Sequence, residues 1–264
     1  MSDLKPLPEL VSLKGKTALI TGAAGGIGKA IAYRFAEAGA SLELVDINDE
    51  PLEALGKGLL PFAPVNIHRV DLAREEEIDS LWGELKGKEP DILVNNAGIY
   101  PFKNFLEVDS AFLKKVMAVN LNSAFWMCQH MIGARAKRGG VIINIGSIEA
   151  ILPFCNDLAH YNVSKAGVIA LTRSLAREYG RDGFRVNAIL PGGIMTPGTK
   201  EVAREVVKLK LGLIKTGLDF KRRLPLGRGG QPDEVARVAL FMASELSSYV
   251  QGALIAVDGG FLSA

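Results

Sequence analysis

The sequence predicts an α/β fold in which a parallel sheet of about seven strands carries helices on both faces. Short apolar segments recur along the 264 residues, and helical segments separate them. Strands that are apolar throughout, rather than alternating, are typical of a sheet buried on both faces. Right-handed crossovers between such strands give a doubly wound open sheet. We expect one domain, residues 13–264, behind an extended N-terminal arm of residues 1–12, because no linker or internal repeat interrupts it.

The elements can be assigned in chain order from apolar runs and from the glycines that end helices. The seven strand candidates are 17–21, 41–46, 67–71, 91–98, 141–147, 184–193 and 253–260. Helices are expected at 28–39, 74–86, 109–138 and 160–182. The segment 194–225 departs from this alternation of strands and helices. Since a long excursion from a compact α/β sheet is usually functional, we expect it to be a lid over the substrate.

Charge and cysteine content exclude several classes of protein. The net charge is only +2, so neither nucleic acid nor an anionic membrane is an expected partner. The two cysteines, Cys128 and Cys155, form neither a disulfide framework nor a metal-ligand spacing, and no metal site is expected. No apolar run approaches the ~18 residues of a membrane span. These features favour a soluble, cytoplasmic enzyme or binding protein.

A glycine-rich loop directly follows the first strand. It reads TGAAGGIG from Thr21 to Gly28 and opens the first long helix. Glycines let the backbone approach a pyrophosphate, and the free N–H groups of a helix N-terminus favour its charge. In this strand–loop–helix context the loop predicts a Rossmann-type dinucleotide site. The alternative, a tight turn that needs small residues only for packing, stays open at this point.

Asp46 ends the second strand, 18 residues after Gly28. A carboxylate there can bind the adenosine ribose hydroxyls and repel a 2′-phosphate. The loop 23–26 contains no Arg or Lys that could bind such a phosphate. Both observations favour NAD over NADP. Alternatively, Asp46 only begins an Asp-Ile-Asn-Asp turn.

Three residues predict proton chemistry beside the dinucleotide. Tyr161 and Lys165 are four residues apart on a predicted helix, so their side chains share a face. A nearby ammonium favours the phenolate, and we therefore expect Lys165 to lower the pKa of Tyr161. Ser147 ends the fifth strand, at the sheet edge where doubly wound folds bind ligands, and its hydroxyl can hold a substrate oxygen.

These motifs together resemble the short-chain dehydrogenase/reductase family, from about Leu13 to Phe261. The resemblance is carried by Thr21–Gly28, Asp71, Asn95-Asn96-Ala97-Gly98, Asn120, Ser147, Tyr161 to Lys165, Pro191-Gly192 and Val257-Asp258-Gly259-Gly260. It resembles in particular the 3-oxoacyl reductase-like and the sugar or polyol dehydrogenase-like members.

The resemblance implies a role for each matching residue. Tyr161 is the implied general acid/base, Ser147 polarises the carbonyl, and Lys165 binds the nicotinamide ribose. Asn120 holds a water in the proton relay. The implied cofactor contacts are Thr21, Gly22, Gly26, Ile27, Gly28, Asp46, Asp71, Leu72, Asn96, Tyr161, Lys165, Pro191, Gly192, Ile194 and Thr196. Members of the family are usually tetramers, so a homotetramer is expected.

The substrate contacts expected are Ser147, Tyr161 and Glu149. Glu149 and His160, next to the catalytic residues, are polar candidates for binding the hydroxyls of a sugar or polyol. Alternatively, Glu149 is a solvated loop charge, and His160 points away because neighbours on a helix diverge by ~100°. Asp46 and Glu149 favour NAD-dependent oxidoreduction of a polyol, sugar or other small secondary alcohol.

Three other functions stay open. One is a 3-oxoacyl reductase, because Arg138 and Arg177 match positions where such enzymes bind an acidic carrier protein. Another is an NAD(P)-sensing module, against which the complete set of Asn120, Ser147, Tyr161 and Lys165 argues. The third is a nucleotide-sugar epimerase, which normally needs a longer substrate domain than 264 residues allow.

Overall fold

The computed structural model describes residues 4–196 and 222–264. Its centre is one seven-stranded sheet with the order β3-β2-β1-β4-β5-β6-β7, in which all neighbouring strands are parallel. The strands are β1 (Thr17–Thr21), β2 (Ser41–Asp46), β3 (Val65–Arg69), β4 (Ile92–Asn95), β5 (Gly140–Ile145), β6 (Phe184–Pro191) and β7 (Leu254–Val257). The predicted doubly wound sheet is confirmed.

Helices cover both faces of this sheet. They are α1 (Leu7–Val11), α2 (Gly26–Glu37), α3 (Asp49–Leu59), α4 (Glu75–Glu84), α5 (Ser110–Met117), α6 (Ser123–Ala134), α7 (Ala159–Tyr179) and α8 (Pro232–Ala243). A π-helical turn, Ala118–Asn122, joins α5 to α6, so the segment predicted as one helix is nearly continuous.

Each face of the sheet has its own apolar core. On one face α2, α3 and α8 pack with buried side chains such as Phe35, Leu52 and Met242. On the other face α4, α6 and α7 enclose Trp82, Met127 and Phe184. Fully burying an aliphatic or aromatic side chain of this kind contributes about 1.5–3 kcal/mol to folding. These two cores hold the strand ends in a fixed arrangement at the sheet edge described below.

Two parts of the chain differ from the sequence expectation. The N-terminal arm is not extended throughout, because Leu7–Val11 forms a short helix and Lys5 pairs with Glu245. Helix α8 was missed altogether. The sequence does contain a signal for the start of this helix, because Pro232 occupies a first-turn position. In the structure, Gln231 N donates to Glu234 Oε2 at 2.8 Å.

The predicted lid, 194–225, lies mostly outside the described residues. Its beginning, to Thr196, and its end, from Arg222, are described, and 197–221 are not. Ile194 pairs with Gly230 in an isolated parallel bridge, so the two described ends meet. Within the described part of the chain, no helix has both the length and the apolar character needed to cross a membrane.

Candidate active site

A cavity of about 420 Å³ lies at the carboxyl edge of the sheet. Ligands of doubly wound folds bind at this edge. The lining includes ten residues that the sequence predicts as site residues: Ile27, Asn96, Ser147, Glu149, Tyr161, Lys165, Pro191, Gly192, Ile194 and Thr196. Five elements or loops that are distant in the sequence therefore contribute to one site.

The glycine loop between β1 and α2 has the shape of a phosphate cradle. Gly22 adopts the left-handed conformation at φ 63°, and a Cβ there would lie 2.8 Å from Ala97 Cα. A Cβ at Gly28 would lie 2.2 Å from Gly22 O. Helix α2 begins with no side-chain hydrogen bond from its N-cap, Gly25, and with no acidic residue in its first turn. Neither an N-cap side chain nor a first-turn carboxylate therefore occupies its first N–H groups, which fits the pyrophosphate of a dinucleotide.

Thr21 and Asn96 fasten this cradle to the neighbouring strand. The hydroxyl of Thr21 accepts hydrogen bonds from Asn96 N at 3.0 Å and Ala97 N at 3.1 Å, and donates to Val94 O. The Asn96 amide donates to the carbonyls of Thr21 and Gly22. Their polar side-chain atoms thus shape the loop, and a direct contact with the cofactor stays a prediction for both residues.

Asp46 lies beside the cradle and is 8% exposed. Its Oδ2 accepts from Ala24 N at 2.9 Å, and its Oδ1 accepts from the backbone and side-chain nitrogens of Asn48 at 3.0 and 2.9 Å. The turn role considered for Asp46 is therefore real. Three donors leave one of the roughly four acceptor positions of the carboxylate for a ribose hydroxyl, so the two roles are compatible.

The other predicted cofactor residues extend along the same edge. Asp71 accepts from Ala73 N at 3.0 Å, and Leu72 is buried next to it. After β6, Gly192 N donates to Val257 O at 3.0 Å. Thr196 then reaches the glycine loop, since a Cβ at Gly26 would lie 3.2 Å from Thr196 Cγ2. The segment after β6 therefore closes the cradle.

Ser147 and Tyr161 both line the cavity, and Ser147 lies close enough to the phenol to favour its ionised form. Ser147 follows β5, whereas Tyr161 and Lys165 lie one turn apart on α7. Nζ of Lys165 lies 6.0 Å from the centroid of the Tyr161 ring and donates to Ile145 O at 2.8 Å. The predicted proximity of these three side chains is confirmed.

The electrostatics of Tyr161 differ from the sequence expectation. Burial raises the pKa of Tyr161 to about 12, although the neighbouring Ser147 side chain acts in the opposite direction. Burial also lowers the pKa of Lys165 to about 8. The prediction that Lys165 lowers the pKa of Tyr161 is therefore wrong for this structure. Desolvation of the phenol outweighs the effect of Ser147, and burial also disfavours the ammonium charge that was expected to favour the phenolate.

Asn120 lies in the π-helical turn and is 1% exposed. Its Oδ1 accepts from Ile99 N at 2.7 Å, and its Nδ2 donates to Ile99 O at 2.9 Å and Ser164 Oγ at 3.2 Å. A Cβ at Gly98 would lie 3.4 Å from both Asn120 Oδ1 and Lys165 Nζ. Asn120 therefore stands next to the lysine and fixes the wall of the cavity. Its predicted hold on a relay water stays a prediction.

The structure places Glu149 in the cavity lining and His160 outside it. The solvated-loop alternative for Glu149 is wrong, because the residue is 2% exposed and lines the cavity. The chain folds back so that the N–H groups of Phe154 and Cys155 donate to its carboxylate. His160 does point away from the cavity, as its alternative reading predicts, with Nε2 2.7 Å from Pro101 O.

Sequence reasoning missed Tyr100 and Phe154, which also line the cavity. The ring of Tyr100 packs edge-on against that of Tyr161, with centroids 4.7 Å apart. Tyr100 follows the Asn-Asn-Ala-Gly segment after β4, so its position next to a strand end was the available signal. In the described residues, no cluster of three His, Cys, Asp or Glu side chains could hold a metal ion.

Known proteins are similar to nearly the whole chain. A family model described as enoyl-(acyl carrier protein) reductase matches residues 22–262. The chain is 39% identical over 252 residues to galactitol 2-dehydrogenase (L-tagatose-forming) of Cereibacter sphaeroides, covering 94% of this chain and 96% of that protein. It is 36% identical over 255 residues to 3-oxoacyl-(acyl-carrier-protein) reductase FabG of Aquifex aeolicus, with coverages of 95% and 98%. The solved structure of L-sorbose reductase from Gluconobacter frateurii, complexed with NADPH and L-sorbose, matches with a TM-score of 0.89. That match has 32% identity and covers 97% of this chain and 99% of that one.

Proposed function

The chain belongs to the short-chain dehydrogenase/reductase family, and we propose that it is an NAD(H)-dependent enzyme that interconverts a polyol, sugar or other small secondary alcohol with its ketone. That it is an oxidoreductase of secondary alcohols and ketones follows from the family. The observation that carries the mechanism is that Ser147, Tyr161 and Lys165 line one cavity, beside a glycine loop shaped like a phosphate cradle.

In this mechanism two hydroxyl groups act on one substrate oxygen. For reduction, Ser147 donates a hydrogen bond to the carbonyl oxygen and Tyr161 gives it a proton; for oxidation, Tyr161 takes that proton back. Lys165 would bind the nicotinamide ribose, and Asn120 would hold a relay water. The chemistry that a bound nicotinamide supplies is the acceptance or donation of a hydride.

The mechanism is tested by the change Tyr161→Phe, which removes only the hydroxyl. We expect purified protein to reduce NAD with one or more members of a panel of polyols, sugars and small secondary alcohols, followed by NADH absorbance. Tyr161→Phe is expected to lower turnover by at least ~10²-fold, the usual size of a general acid/base contribution, while NADH binding measured by fluorescence is retained. Near-normal turnover in this variant would refute the role assigned to Tyr161. A protein that binds NADH but oxidises none of the panel would instead support a sensing module.

The NAD preference is argued from Asp46. Its carboxylate is held in place by Ala24 and Asn48 next to the cradle, where a 2′-phosphate would bring further negative charge. The relative from Gluconobacter frateurii binds NADPH, so the proposal depends on this chain's own residue. We expect Asp46→Ser to lower the ratio of kcat/KM with NADH to kcat/KM with NADPH by about tenfold or more, the order that one charge contributes. An unchanged ratio would refute the assignment.

A second candidate function, 3-oxoacyl reduction, is favoured by the similarity to FabG of Aquifex aeolicus. The surface arginines give this second function little support. Arg138, one of the two arginines considered for a carrier protein, donates to Glu89 Oε2 at 2.9 Å and to Ala134 O. Its guanidinium is therefore already paired within the chain. Including a 3-oxoacyl thioester in the substrate panel separates the two functions directly.

We also propose the homotetramer. Apolar side chains on α5, α6 and α7 are exposed in the single chain, namely Leu113, Phe125 and Val163. Association of these helices between copies would bury that surface. Light scattering coupled to size-exclusion chromatography measures the mass, and a monomer at micromolar concentration would refute the proposal. The cytoplasmic location stays a prediction from the sequence.

A further inference from the structure

The carboxylate of Glu149 is a charged group in the cavity that the proton-transfer mechanism does not use. It is 2% exposed and lines the same cavity as Ser147 and Tyr161. Its Oε2 accepts from Phe154 N and its Oε1 from Cys155 N, both at 3.2 Å. A buried carboxylate is costly unless it is well paired, yet no cation pairs with it in the described part of the chain.

The hydrogen-bond inventory of this carboxylate leaves room for a ligand. Two backbone N–H groups occupy two of its roughly four acceptor positions. Burial raises the pKa of this carboxyl, and the neighbouring Asn162 amide and Cys155 thiol act in the opposite direction. The remaining acceptor positions can take a hydrogen bond from a substrate hydroxyl in the cavity.

The charge of the cavity is unfavourable for an anion. Among the described lining residues only Glu149 and Lys165 are charged, and the Lys165 ammonium already donates to Ile145 O. Burial lowers the pKa of that lysine to about 8, so its positive charge is not fully retained at neutral to basic pH. At pH values at which Glu149 is ionised, a substrate carboxylate would therefore meet a second negative charge without a second cation among these residues.

We propose that Glu149 is a specificity-determining residue that admits neutral polyols and sugars and excludes substrates bearing a carboxylate, such as aldonic acids. This inference rests on the proposed function and narrows its substrate class. Coulomb's law with an effective dielectric constant of about 20 and an assumed separation of about 8 Å gives roughly a thirtyfold penalty for one added carboxylate.

The test compares compounds that differ only in this charge. Glucitol, gluconamide and gluconate share their hydroxyl pattern, and gluconate alone is anionic. Equilibrium binding to the enzyme–NADH complex, followed by NADH fluorescence, is measured beside kcat/KM with NAD. The wild-type enzyme is expected to prefer glucitol and gluconamide over gluconate by roughly thirtyfold.

Variants then assign the preference to one residue. Glu149→Gln keeps the shape and one acceptor oxygen, and it should reduce the preference by about tenfold or more through improved gluconate binding. Glu107→Gln removes an exposed carboxylate from the one-turn helix Phe105–Glu107 and should leave the preference unchanged. If Glu149 only holds the loop to Phe154 and Cys155, Glu149→Gln weakens all three compounds equally, and the proposal is overturned.

Three other outcomes would also support or overturn the proposed role of Glu149. Equal binding of gluconamide and gluconate by the wild-type enzyme overturns the proposal without any variant, so it stays testable even if Glu149→Gln fails to fold. Failure of both neutral compounds to bind overturns it too. Binding of the neutral compounds without turnover of any polyol or sugar in the panel refutes the proposed function, whereas the charge preference in binding still supports the role of Glu149.

Discussion

Replacement of Gly28 by alanine tests the cofactor cradle with a single added methyl group. The Cβ would lie 2.2 Å from Gly22 O, 2.6 Å from Asn96 Nδ2 and 2.9 Å from Gly22 C. Carbon atoms in van der Waals contact lie about 3.5–4.0 Å apart, so the loop backbone must move by more than ~1 Å. Overpacking of this kind costs about 1–3 kcal/mol, and two of the three close atoms are backbone.

Two measurements distinguish a local from a global effect of Gly28→Ala. Urea unfolding should show a loss of about 1–3 kcal/mol in the free energy of unfolding. Because the same movement displaces the N–H groups expected to bind the pyrophosphate, the Kd for NADH should rise by more than about tenfold, measured by fluorescence.

Gly133→Ala is the matched control. Gly133 lies in α6, and a Cβ there would meet nothing within 4 Å. Alanine in a helix interior is favoured over glycine by about 0.5–1 kcal/mol, so this variant should be slightly more stable than the wild type and should bind NADH normally. Wild-type affinity for NADH in Gly28→Ala would refute the cradle as the cofactor site.

Two further predictions concern the pH dependence and the polar core. The pKa of Lys165 is about 8 in the folded protein and near 10.5 in the unfolded chain, so the unfolded state binds more protons between these values. From pH 8 to pH 10 this group should add about 2 kcal/mol to the stability. Since the buried cysteines, whose pKa values burial raises, act in the opposite direction, the test compares wild type with Lys165→Met by urea unfolding at the two pH values. The change in stability from pH 8 to 10 should be about 2 kcal/mol more positive in the wild type, and an equal change in the variant would contradict the burial argument. Asn144 is fully buried, accepts from Asn95 Nδ2 and donates to Thr172 Oγ1, both at 2.9 Å. Asn144→Ala removes one hydrogen bond from each of these two buried partners, which keep their contacts with Cys128 Sγ and Val168 O. It should lower the free energy of unfolding by about 1–3 kcal/mol, whereas a loss below ~1 kcal/mol would show that these bonds contribute little.

The strands were predictable from the sequence because a parallel sheet buried on both faces needs continuous apolar segments. All seven strand candidates overlap observed strands, and the bounds agree fully at β1 and β2. Helix α8 was missed although its apolar positions Val235, Ala236, Ala239 and Met242 recur at helical spacing. Here the signal existed, and the irregular segment before it obscured the start of the helix.

The site was predictable where chemistry is tied to a strand end or a helix face. Ser147 and the pair Tyr161 and Lys165 belong to this class. The burial of Glu149 was not predictable from the sequence. It depends on the chain turning back at 149–155, so that two N–H groups reach one carboxylate. The raised pKa of Tyr161 was not predictable either, since desolvation depends on how completely neighbouring elements cover the phenol.

The position of Asp46 has a consequence for redesigning the cofactor preference. The same carboxylate that is expected to reject a 2′-phosphate also anchors Ala24 of the glycine loop and the turn at Asn48. A designer who replaces it with alanine removes the charge and these anchors together, so that weaker binding of both cofactors would mask any gain in selectivity. Libraries for an NADP-using variant should therefore start from Ser or Asn at position 46, which keep an acceptor there, and place the added basic residue elsewhere.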